Sequence, residues 1–95
     1  MKNRHIELDL FVGASATLFF TNMNGGINAL LLDDFAGART NKSGVTVIDY
    51  YTGNPDFDLD IFYVKESEDE VRKIVADAER MIAEAIEKHE VRLKK

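Results

Sequence analysis

Cysteine is absent from all 95 residues, which excludes a disulfide framework, a thiol nucleophile and every cysteine-based zinc or iron–sulfur site. Tryptophan is absent too, and proline occurs once and histidine twice. No apolar run approaches the ~18 residues of a membrane-spanning helix, so no membrane partner is expected. Met1 to His5 leads into an alternating pattern instead of a secretory leader, and a cytoplasmic location is the default expectation. No Gly-x-Ser-x-Gly elbow, phosphate-cradling glycine loop or His-Glu-x-x-His segment occurs, which leaves a thin catalytic inventory. No catalytic residue, cofactor or bound metal is therefore assigned, and the chain is expected not to be an enzyme.

What is present suits a folded domain. The composition is 45% apolar and 31% charged, far from the regime of disordered chains. At this size about 65% of the unfolded surface is buried on folding, enough for one core and a single domain over residues 1–95. The net charge of −5 is unevenly placed: residues 1–66 hold nine acidic against five basic side chains, and residues 67–95 hold eight against seven. An acidic N-terminal part disfavours direct contact with nucleic acid, which calls for clustered Lys and Arg. It is compatible with a basic partner.

Period-two alternation of Ile6, Leu8 and Leu10 with Glu7 and Asp9 predicts a first strand within 4–12. Residues 17–23 and 27–33 predict two more, joined by Asn24-Gly25-Gly26, a hairpin turn signal. Residues 34–44 lack periodicity and are expected to form a long loop. Val45 to Tyr51 and Phe57 to Val64 read as two further strands around the Thr52-Gly53-Asn54-Pro55 turn. In the last, Phe57, Leu59, Ile61 and Tyr63 alternate with Asp58, Asp60, Phe62 and Val64. Ser67 with Glu70 forms a capping box. Val71, Ile74, Val75, Ala78, Met81, Ile82, Ala85 and Ile86 then form an apolar stripe at helical spacing. The expected fold is α+β: an antiparallel β-sheet of about five strands over 4–64, in βββββα order, covered on one face by a single helix over 68–90. A short basic tail follows at 91–95.

Three functional readings follow. Glu7 and Asp9 share one face of the first strand, and Asp58 and Asp60 one face of the last. If the faces merge, spaced negative charge imitates nucleic-acid phosphates and is steered to a basic groove. The favoured expectation is therefore a small acidic interaction module. Such a module suits an inhibitor of the anti-defence type carried by phages and other mobile elements, bound to a basic nucleic-acid-binding surface of a protein partner. Arg39 and Lys42, the basic groups of the 33–44 loop, join the candidate partner-binding set because overlong loops carry function. The alternative is a homo-oligomeric assembly subunit, with a homodimer expected. One helix covers one sheet face, so adjacent aromatic pairs leave Phe20, Tyr51 and Phe62 as candidates for a free oligomer or partner face. The third is a metal-dependent enzyme using the strand carboxylates. Asp56 to Asp60 opens like an EF-hand loop, but Ile61 stands at the required glycine position and no helix precedes it. Water-facing carboxylates are the simpler explanation.

Overall fold

Short connections between alternating segments dictate antiparallel neighbours, and the chain realises them twice. A computed structural model describes the backbone of residues 4–10 and 14–93, and their side chains except those of Phe57 and 89–93. It contains β1 (Ile6–Asp9), β2 (Ser15–Thr21), β3 (Ile27–Leu31), β4 (Phe35–Thr40), β5 (Thr46–Asn54), β6 (Phe57–Val64) and α1 (Glu68–Leu93). The strands form two three-stranded antiparallel sheets, β1-β2-β3 and β4-β5-β6. The α+β class holds, but six strands in two sheets replace about five in one. Of the basic tail expected over 91–95, Lys94 and Lys95 lie outside the described residues, and the helix itself runs through 91–93.

The extra strand is β4, in the segment expected to be a loop. Phe35-Ala36-Gly37-Ala38-Arg39-Thr40 is poor in the β-branched and aromatic residues that mark strands. A register shift between Phe35 and Gly37 also breaks its alternation, as a bulge does. A 3-10 turn at Leu32–Asp34 joins it to β3. The remaining turn is brief: the Asn41 side-chain oxygen accepts the amides of Ser43 and Val45 at 3.0 and 2.9 Å, and Gly44 takes a positive φ of 82° that glycine adopts without penalty.

Pleating sorts the side chains. In the first sheet, Ile6, Leu18 and Leu30 are cross-strand partners, as are Leu8 and Ala16. In the second, Ala38, Ile48 and Phe62 align, and so do Thr40, Thr46 and Val64. The apolar residues of these rows join Val71, Ile74 and Ala78 of α1 in one core. Burying each large aliphatic side chain there contributes roughly 1.5–3 kcal/mol. The helix touches β1, β2 and β4, so it closes both sheets at once. Ser67 Oγ accepts the Glu70 amide at 3.1 Å, while Glu70 Oε1 accepts the Ser67 amide at 3.2 Å, completing the expected capping box. On the outer side of the helix Lys73 pairs with Asp77 at 2.9 Å.

The two sheets meet where β1 runs out. The Phe19 amide donates to the His5 carbonyl, the last ladder bond on that side of β2. Beyond it the end of β6 takes over: Asn22 bridges Val64, and the Lys65 amide donates to the Thr21 carbonyl at 2.8 Å. The principal extents of 54 × 35 × 19 Å and a radius of gyration of 14.9 Å exceed the ~12 Å of a compact chain this long. Part of the excess is the β5–β6 hairpin, where β4 pairs no further than Tyr50 and residues 51–56 and 58–61 are exposed.

Candidate functional site

The four acids singled out by alternation do not share a surface. Glu7 and Asp9 point outward from β1, opposite to Ile6 and Leu8, which face the core. Asp58 and Asp60 lie in the other sheet on the same side of β6 as Phe62 and Val64, exposed only because the hairpin extends past the core. Tyr50 donates its phenol proton toward Asp60 at 3.5 Å. Burial first, then the Asp60 charge and this hydrogen bond, raise the Tyr50 pKa above 10.0. Arg39 and Lys42 are separated as well. Arg39 is part of β4 and pairs with Asp49 at 3.3 Å, while Lys42 sits in the exposed turn.

The aromatic candidates divide unequally. Phe20 is 1% exposed and half-buried Phe62 packs against it, with ring centroids 6.3 Å apart; neither is available as an oligomer face. Of the three, Tyr51 alone is on the opposite side of the sheet, 51% exposed. The true companions of Tyr51 are its cross-strand partner Leu59, together with Ile61 opposite Asp49 and Tyr63 opposite Val47. Two-residue spacing along β5 and β6 puts all of these on one face. Gly37 and Arg39 of β4, opposite Asp49 and Val47, complete it. Tyr51, Leu59, Ile61 and Tyr63 keep 51%, 52%, 38% and 46% of their surface exposed. Val47, in the middle of the same face, is 1% exposed. The helix and the first sheet pack on the other side.

Sequence alternation found the two faces of β6 but not which of them is buried. Nothing local could decide it, since both carry large apolar side chains. A second surprise is Glu66, 7% exposed, whose carboxylate accepts the Thr21 amide at 2.9 and 3.0 Å and the Thr21 hydroxyl at 2.9 Å. His5 Nδ1 lies 3.9 Å from it and 2.9 Å from the Phe19 carbonyl. This group closes the seam between the sheets. It occupies the Thr21 N–H, which lies on the side of β2 that β1 no longer reaches, and a buried N–H requires a partner.

Among the described residues no group of three or more His, Asp or Glu is placed to hold a metal ion. Thr52, Asn54, Leu59 and Asp60 line an open depression near the hairpin tip. No described helix is long and apolar enough to cross a membrane. The sequence matches no family model, and neither curated proteins nor solved structures provide a similar chain.

Proposed function

We propose that the chain is a non-catalytic interaction module whose working surface is the outer face of the β4-β5-β6 sheet and its projecting hairpin. The observation that carries this reading is the row of Tyr51, Leu59, Ile61 and Tyr63, all exposed on one sheet face. A monomer's largest apolar patch is typically ~300–600 Å² and commonly functional. A two-stranded ribbon is also marginal in water by itself, so the hairpin beyond Tyr50 gains from a partner laid against it.

A second reading keeps part of the mimicry expectation. Asp58 and Asp60 stand on the same hairpin, exposed, and two acids on a projecting arm suit the basic nucleic-acid-binding groove of a target protein, as an anti-defence inhibitor requires. The separation of Glu7 and Asp9 removes half of the charge that reading began with. The acids also suit a simpler role, since charged residues on an edge strand such as β6 discourage unwanted strand pairing.

Capture of associated macromolecules from a lysate of the source organism separates the two, with three baits: wild type, Ile61→Lys/Tyr63→Lys and Asp58→Lys/Asp60→Lys. The apolar reading expects loss of association, whether with copies of the chain or with another protein, in the first variant only, and little effect of salt. Loss in the acid variant only, with release by salt, would overturn it in favour of the inhibitor. Identical behaviour of all three folded baits would end both.

A further inference from the structure

The occupant of the outer face can be argued from its charge and its relief, and the inference rests on the preceding reading that this face is the working surface. Within β4, β5 and β6 the charged side chains of this face are Arg39 and Asp49, and they already pair within the chain at 3.3 Å. The face is thus neutral on a chain of net charge −5. A surface meant for a basic groove would present unpaired carboxylates there, and one meant for an acidic partner a free cation. A neutral apolar face fits another neutral apolar face. Two molecules that repel through their net charge can approach at low cost only where that charge is locally cancelled.

The relief points the same way. Gly37 is not among the positive-φ glycines, so no left-handed backbone calls for glycine at this position. A Cβ built on Gly37 would meet nothing within 4 Å. A glycine inside a strand weakens it by roughly 0.5–1 kcal/mol and often marks a bulge or the close approach of another backbone. Here it leaves a notch beside Asp49 and Ile61, opposite which a second sheet at about 10 Å can place a side chain. We infer that the outer β4-β5-β6 face binds the same face of a second copy, forming a two-fold symmetric sheet-on-sheet dimer. With 38–52% of the surface of Tyr51, Leu59, Ile61 and Tyr63 exposed, the contact falls below the ~800 Å² per partner of a standard interface. The dimer is accordingly weak and reversible.

Sedimentation velocity of the purified full chain from about 5 µM to about 1 mM, at low and high salt, tests this. Wild type should show a monomer–dimer equilibrium that salt does not weaken. Gly37→Val fills the notch, its Cβ meets no atom of its own chain within 4 Å and it adds β propensity, so it should fold as well as wild type while weakening the dimer at least ~10-fold. Ile61→Lys should do the same, and Asp58→Lys/Asp60→Lys should leave the dimer intact. A wild type that stays monomeric, a dimer that persists in both folded face variants, or a dimer dissolved by salt would each overturn the inference. If the purified chain is monomeric but the face variant still loses its captured partner, the dimer is wrong and the interaction reading stands. If the face variant also captures what wild type does, both fail.

Discussion

Replacing Glu66 by alanine tests the claim that one carboxylate joins the two sheets. Its oxygens hold the Thr21 amide and hydroxyl at 2.9–3.0 Å at a position 7% exposed. Alanine removes the acceptor and leaves an amide that β1 no longer reaches. Hydrogen bonds to a charged group contribute ~1.5–3 kcal/mol, and an unsatisfied buried donor costs ~1–3 kcal/mol. These overlap, and recovered carboxylate desolvation offsets part of them, so the expected loss is about 2–4 kcal/mol. Against the roughly 5–14 kcal/mol available to a domain this size, the seam is then a major contributor. Urea unfolding followed by circular dichroism should show it, with Tm lower by roughly 10–25 °C. Glu66→Gln retains an acceptor oxygen for the amide and should lose about half as much. Thr21→Val in a double-mutant cycle with Glu66→Ala should return a coupling of about 1 kcal/mol or more. An alanine variant within about 0.5 kcal/mol of wild type would refute the reasoning.

The inward and outward faces should respond oppositely to truncation. Phe20→Ala should cost about 3–5 kcal/mol, whereas Tyr51→Ala should stay within about 1 kcal/mol, and equal losses by denaturant melts would contradict the assignment of faces. The Tyr50 phenol should ionise above 10.0 in an ultraviolet or NMR titration. A raised folded value means its contribution to stability is present below pH 10 and lost as pH rises through that value. Asp60→Asn should move the pKa part of the way back, because burial, the largest cause, remains; a Tyr50 titration at or below 10.0 would be the contrary result. The Glu68 carboxyl is held below 4.5, first by the Thr40 hydroxyl at 2.9 Å and then by Arg72. A depressed value means its contribution is present above the ordinary carboxylate range and lost as pH falls through the folded value. Thr40→Val should raise the Glu68 pKa toward 4.5 in an NMR titration, and an unchanged value would reject the hydroxyl as its cause.

Local physics made some elements legible before any packing was considered. The helix start was readable because Ser67 and Glu70 satisfy each other's amides whatever lies beyond. The Asn24-Gly25-Gly26 turn was readable because Gly25 adopts a φ of 89° that other residues resist. β4 was not, since Ala36, Gly37 and Ala38 carry no strand preference and owe their conformation to ladder bonds with β5. The acids were found as two pairs on two strands, but their union on one surface was a statement about which strands are neighbours, and alternation is silent on that. Glu66 gave no signal, because a carboxylate two residues before a helix resembles any other surface acid until Thr21, 45 residues earlier in the chain, arrives beside it.

What the sequence determined by itself is therefore the set of interactions spanning a few residues: strand periodicity, turn chemistry, the capping box and the α+β class. What only the tertiary structure decided is the division into two sheets, the seam at Thr21 and Glu66, and which side of β6 is covered. That last choice turns on one step of the pleat. Phe62 and Val64 compete with Ile61 and Tyr63 on nearly equal hydrophobic terms, and the winner is set by where Phe20, Ile48 and the helix stand. The face left over is the one on which the proposed function rests.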